Sequence, residues 1–196
     1  MAMTARPTTR LLLAATTLIL IAGCAPEPAT QPKSGASPVG APSPVTRKLR
    51  MPETLLGLTK NMDRVAIEGA KRHLDTLKRE VDPATSAVGW AYGGHGPDAD
   101  MVFITGVSGT VTDQQGLVER ALSPYRVGAR EDVDAGRLGG TARCGQGRTE
   151  LKSYLVVCAW ADPQTLGVVA FLSSRPIGDR TAQFLDVREA MTETAG

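Results

Sequence analysis

The polar side chains best placed for chemistry lie in one short glycine-rich segment, residues 93–100. This segment contains His95, Asp98 and Asp100, residue types that can ligate a cation or act together as a base and its orienting group. The aspartate spacing does not continue into the calcium-binding loop of an EF-hand. A solvated connection between two strands explains the same residues. We favour that connection, assign no metal ligand or catalytic residue, and keep the three side chains as candidates for ligand binding.

Two of the three cysteines, Cys144 and Cys158, are predicted to form a disulfide. The apolar run 153–161 is typical of a strand, and the glycine-rich residues 145–148 allow 138–144 to pair with it as a hairpin. In one register Cys144 lies opposite Cys158, and a bridge would close a loop of about fifteen residues. The alternatives are a metal pair or a catalytic thiol. The cysteine spacing, with no nearby histidine, differs from that of zinc sites, and an apolar strand disfavours a reactive thiolate.

The remaining cysteine, Cys24, follows a segment typical of exported proteins. Two arginines precede the apolar run 11–21, which is too short to span a bilayer that needs about twenty residues. Residues 21–24, Ile-Ala-Gly-Cys, resemble the lipobox of bacterial lipoproteins. This resemblance implies that residues 1–23 are a signal peptide and that Cys24 carries a lipid anchor in the cell membrane, facing the extracytoplasmic side. The alternative is an ordinary secretory signal with an incidental cysteine.

The composition changes after Cys24. Residues 24–46 contain six prolines interleaved with alanine, serine, threonine and glycine, which predicts a disordered tether. Residues 47–196 suit a single domain. The chain has 22 Lys+Arg and 20 Asp+Glu, so losing Arg6 and Arg10 with the signal peptide leaves the charges equal. A net charge of zero argues against a general nucleic-acid binder.

Periodicity in the domain predicts three helices. Apolar residues at three-four spacing indicate one long helix over Met62–Val81, ended by Asp82-Pro83. A capping box at residues 112–115 predicts the start of a second, short helix. The third is expected over Thr181–Met191.

Apolar runs predict five strands, at residues 87–92, 101–107, 138–144, 153–161 and 168–172. Tight turns between strands that follow each other permit antiparallel pairing and exclude parallel crossovers. With a turn at 162–165, Trp160 would face Gly167. The charged residues 126–137 are predicted to be a connection. The expected fold class is α+β, an antiparallel sheet of about five strands with two to three helices packed on it.

Together these segments resemble a group of actinobacterial secreted and membrane-anchored lipoproteins with no assigned function. The resemblance is carried by the lipobox, the proline-rich tether and the segments DPATSAVGWAYG, MVFITGVSG, VDAGRLGGTARCG, VCAWADPQTLGVVAF and TAQFLDVREAM. It implies that the two domain cysteines and their hairpin belong to a shared scaffold. It brings no activity and no catalytic residue.

Two functions from different classes fit these features. One is a lipid-anchored, non-enzymatic binding or adaptor domain for a cell-envelope protein or a small ligand, with no cofactor. The other is a surface hydrolase or metal-dependent enzyme that uses His95 as base and Asp98 or Asp100 as orienting group or ligand. Enzymes need several convergent polar groups, and the sequence contains no GxSxG, HExxH or phosphate-binding glycine loop. Binding is therefore the favoured hypothesis.

Overall fold

A computed structural model describes residues 46–94 and 99–195. The described strands are β1 (Thr46–Leu49), β2 (Thr54–Leu55), β3 (Leu58–Thr59), β4 (Ala84–Gly93), β5 (Met101–Gly109), β6 (Val127–Asp132), β7 (Thr141–Arg148), β8 (Tyr154–Ala161), β9 (Thr165–Ser173) and β10 (Thr192–Ala195). The α-helices are α1 (Arg64–Lys71), α2 (Leu74–Glu80), α3 (Gln114–Leu122) and α4 (Thr181–Met191), and Gly136–Leu138 form a 3₁₀ turn. Six strands make one antiparallel sheet in the order β4-β5-β9-β8-β7-β6, which confirms the α+β class.

The hairpin of β8 and β9 lies in the middle of this sheet, with the predicted register. Trp160 is paired with Gly167, and Cys158 with Val169. The indole covers the glycine so closely that a Cβ built on Gly167 would lie 2.2 Å from the Trp160 ring. Both strands are almost wholly buried because helices cover both faces of the sheet.

Alternate side chains of the sheet enter two separate hydrophobic cores. On the α4 face, Trp160 and Phe171 pack with Phe184 and Met191 of α4 and with Leu49 of β1. On the α3 face, the core consists of side chains from the sheet, α2 and α3, chiefly Leu77, Val81, Val107, Leu117, Val118, Leu122, Val157, Leu166 and Val168. None of the described helices has the length and apolar character needed to cross a bilayer.

The main sheet has six strands, one more than the five that were predicted. The charged residues 126–137, predicted to be a connection, contain β6, which pairs with β7 alone. Edge strands tolerate charged side chains, and Arg130 of β6 pairs with Glu119 of α3 at 2.8 Å. Two short pairs were also missed, β2 with β3 and β1 with β10. Thr46, placed in the tether by composition, is the first residue of β1.

The single long helix predicted over Met62–Val81 is two helices, because the chain turns at Arg72 and His73. The break is stabilised by a contact distant in sequence, since the Thr105 hydroxyl donates a hydrogen bond to the Ala70 carbonyl. Local periodicity carries no information about such a bond. The described residues therefore contain four α-helices rather than two or three.

The second predicted helix begins one residue later than expected. Asp113, not Thr112, is the N-cap of α3, and its carboxylate accepts a hydrogen bond from the Gly116 amide at 3.0 Å. Asp and Thr both satisfy free amides at a helix start, so the sequence alone did not separate the two positions.

Candidate ligand-binding site

An open cleft of about 740 Å³, here called the main cleft, lies on the α3 face between α1 and the segment that follows α3. Its floor comes from three neighbouring strands. Phe103 of β5 is paired with Ala170 of β9, and Leu172 of β9 is paired with Leu155 of β8. These four side chains line the cleft and make its floor apolar. The size falls within the range of roughly 300–1,000 Å³ that is usual for small-molecule sites.

The two sides of the main cleft belong to separate parts of the fold. One side is α1 with the Arg72–His73 turn, and the other is formed by residues 124–126 and the β7–β8 turn at 148–151. Each side presents an exposed apolar residue at the opening, since Val65 is 76% exposed and Leu151 is 90% exposed. Large apolar side chains at the rim of an apolar cleft are a feature of binding surfaces.

His73 and Tyr125 face each other across one end of the main cleft. Their rings meet edge to face, with centroids 5.3 Å apart. Burial raises the pKa of Tyr125 to about 12. Burial, with the nearby Arg72 guanidinium, lowers the pKa of His73 below 6.5. Their ring contact is the interaction that joins these two side chains, and neither makes a hydrogen bond within the part of the chain that the structure describes.

Three arginines line the main cleft, and they differ in what they contact. Arg126 pairs with Glu150 at 3.2 Å, and Arg148 stacks on Tyr154 with its guanidinium carbon 3.8 Å from the ring centroid. Arg72 makes no ion pair or side-chain hydrogen bond to any described residue. A ligand could therefore bind to Arg72 without breaking an interaction with a described residue, which is not true of Arg126 or Arg148.

We predict that His73 makes the folded domain less stable in mild acid. Its pKa is lowered in the folded state, so the unfolded chain binds a proton more readily. The contribution of His73 to the free energy of unfolding should be fully present above pH 6.5 and should be lost as the pH falls from 6.5 through the lower pKa of the folded state. His73→Gln should flatten this dependence between pH 5 and 7, by a small amount because the imidazole is only half-buried. Denaturant unfolding in a His95→Gln background, where no second histidine titrates, measures the slope. An unchanged slope in His73→Gln would contradict the assignment.

The candidates in the 93–100 segment are only partly described. His95 and Asp98 lie outside the described residues. Asp100 is exposed and lines a separate, smaller cleft of about 220 Å³ with Arg180 and Leu58, and it does not line the main cleft. The described residues contain no group of three or more His, Cys, Asp or Glu side chains that could hold a metal ion. Cys24 also lies outside the described residues.

The predicted disulfide is present. Cys144 of β7 is paired directly with Cys158 of β8, their Cα atoms are 4.0 Å apart, and their sulfurs are bonded. Cys158 is fully buried in the α4-face core. The bridge therefore joins two neighbouring strands of the sheet and leaves neither thiol free for metal binding or catalysis.

A buried polar network that the sequence analysis did not predict lies at the β8–β9 turn. Asp162 is fully buried, accepts hydrogen bonds from the Thr165 hydroxyl at 2.6 Å and from Arg188 at 2.8 Å, and lies 3.5 Å from Arg47. Thr165 in turn accepts from the Trp160 indole at 3.0 Å. These groups bond mainly to one another inside the fold, and among the described residues only the buried Nε of Arg188 in this network has no partner. We interpret the network as structural.

Arg188 connects this network to the rest of the α4 face. It is 1% exposed and also donates to the carbonyls of Ala135 and Gly139. Burial lowers the pKa of Arg188, and Asp162 opposes that shift. The burial of Arg188 could have been predicted from the sequence. Residue 188 lies four positions after the core residue Phe184, and residues at that spacing share one face of a helix.

No known protein family matches this chain, and no curated protein or solved structure matches it either. The main cleft was likewise absent from the sequence-based predictions. Its floor residues were predicted as strands, but the gap above them depends on where α1 ends and where the chain goes after α3.

Proposed function

We propose that this protein is a lipid-anchored, extracytoplasmic binding domain that holds a small, largely apolar ligand in the main cleft without catalysing its conversion. The main cleft carries the proposal, because its floor is apolar, its size suits a small molecule and its rim exposes Val65 and Leu151. Cys24 would hold the domain at the cell membrane through the tether.

Two further observations support this arrangement. The Cys144–Cys158 disulfide is of the kind that persists in oxidising compartments outside the cytoplasm. The described chain begins at β1, which packs on the α4 face through Leu49, whereas the main cleft opens on the α3 face. The cleft is thus on the side of the sheet away from the point where the tether would join.

Native mass spectrometry of the full-length protein, extracted gently from membranes of the cells that make it, tests the proposal. We expect a reproducible added mass of small-molecule size. Ala170→Phe adds a bulky ring where Ala170 lines the floor of the cleft and should reduce the occupied fraction about fivefold. Ala170 is also part of the α3-face core, so the stability of this variant is measured beside its occupancy.

The matched control is Ala129→Phe, which makes the same change at an exposed position of β6 outside the cleft lining. It should leave occupancy unchanged. Thermal unfolding establishes that both variants are folded, and Val65→Ser provides a second cleft variant at an exposed site with little risk to folding. A protein partner in place of a small mass, or equal occupancy in all variants, would count against a ligand in this cleft.

A further inference from the structure

We infer that the ligand of the main cleft is a single-chain amphiphile whose anionic head group lies at the end of the cleft formed by Arg72, His73 and Tyr125. This inference rests on the proposed function and specifies the chemical class of its ligand. The juxtaposition that carries it is an apolar floor of three strands next to an arginine and two aromatic side chains, whose polar groups have no ion-pair or hydrogen-bond partner among residues 46–94 and 99–195.

The floor determines the apolar part of the ligand. Phe103, Leu155, Ala170 and Leu172 come from adjacent strands and form a continuous apolar surface. Phe103 and Leu172 remain only half-buried in the folded protein, so a ligand would remove apolar area from water. An alkyl chain gains about 0.8 kcal/mol for each buried CH₂, or about fourfold in affinity.

The residues at the Arg72 end of the main cleft indicate the sign of the charge on the head group. The guanidinium lies close enough to both rings to act on them electrostatically. It adds to the lowering that burial causes in the pKa of His73, and it opposes the rise that burial causes in the pKa of Tyr125. Arg72 makes no ion pair with a described residue, and the Tyr125 hydroxyl makes no hydrogen bond to one. An anionic oxygen would supply both with a partner, whereas a cation placed there would be repelled by Arg72.

Among the residues that the structure describes, two carboxylates also line the main cleft, and neither is paired with Arg72. Asp63 caps α1 and accepts a hydrogen bond from the Ala66 amide at 3.0 Å. Glu150 is paired with Arg126 on the opposite side. Both acidic side chains therefore have partners of their own, whereas Arg72 has no ion pair among the described residues.

Competition against the neutral dye Nile red tests the inference with three amphiphiles of equal chain length, dodecanoate, dodecanol and dodecyltrimethylammonium. The two ions are kept below their micelle-forming concentrations, and dodecanol is kept below its solubility limit. The full-length chain carries Cys24→Ser, so that no acyl group of an anchor can enter the cleft. We expect dodecanoate to bind at least tenfold more tightly than dodecyltrimethylammonium. Arg72→Gln should weaken dodecanoate about fivefold, the upper end for a solvent-exposed ion pair, and dodecanol by less than twofold.

The matched control is Arg79→Gln, which removes the same charge from an exposed position of α2 outside the cleft lining and should change neither affinity. Equal binding of all three amphiphiles, or a fivefold loss in both arginine variants, would overturn the head-group inference and leave the proposed function standing. Failure of every amphiphile to bind would overturn both. Binding to phosphatidylglycerol vesicles without binding of monomeric dodecanoate would overturn the inference in favour of a membrane surface.

Discussion

Arg188→Met is expected to destabilise the domain by about 3–5 kcal/mol, the cost of removing one partner from a buried ion pair. Methionine fills most of the same space but leaves Asp162, which is fully buried, without its main partner. Arg47 cannot replace it fully, because its guanidinium is partly exposed and lies 3.5 Å from the carboxylate. The carbonyls of Ala135 and Gly139 also lose their donor. Urea unfolding followed by tryptophan fluorescence measures the change, since Trp160 is part of the network.

The double variant Asp162→Asn with Arg188→Met separates the buried charge from the lost packing. With no buried carboxylate left unpaired, it should be less destabilised than Arg188→Met alone, although it still lacks the bonds to Ala135 and Gly139 and the partly exposed Arg47 loses its carboxylate. Arg175→Met is the surface control, since Arg175 is exposed, and should fall within about 0.5 kcal/mol of the unchanged protein. A loss below about 1 kcal/mol in Arg188→Met would show that the network contributes little to stability.

The parts of the fold that local sequence determines were predicted well. The apolar run before the Asp-Pro turn indicated β8, and the turn itself set the pairing of Trp160 with Gly167. The Cys144–Cys158 bridge followed from the other hairpin, in which residues 138–144 were predicted to pair with 153–161. In each case the information lies within about twenty residues, so spacing and turn chemistry were sufficient.

The parts that depend on distant contacts were not predicted. The charges of β6 predict a connection, and the sequence does not show which residues lie beside them. In the fold, Arg130 pairs with Glu119 of α3, and Asp132 pairs with Arg143 of β7. The break between α1 and α2 is stabilised by Thr105, more than thirty residues away in the chain. That break brings Arg72 and His73 to the main cleft, so a missed helix end also concealed the candidate site.

Loss of the Cys144–Cys158 disulfide is expected to destabilise the domain by about 3 kcal/mol, the loop-closure estimate for a loop of about fifteen residues. The two cysteines are separated by 14 positions and join neighbouring strands in the middle of the sheet, so the bridge restricts the unfolded chain without linking distant parts of the fold. Denaturant unfolding of the oxidised and the fully reduced full-length chain measures the difference. A Cys24→Ser background prevents exchange with the third cysteine.

Cys144→Ala distinguishes the covalent bond from the packing of the buried sulfur. Cys158 is fully buried in the core, and Cys144→Ala leaves the Cys158 sulfur in place. The variant loses only the bridge and the half-buried sulfur of Cys144. It should match the reduced parent within about 0.5 kcal/mol and should not respond to reductant. Cys158→Ala should be less stable than Cys144→Ala, because it also removes a contact inside the α4-face core. If oxidised and reduced parent chains unfold at the same denaturant concentration, the bridge does not stabilise the fold, and the antiparallel pairing of β7 with β8 is sufficient to hold the hairpin.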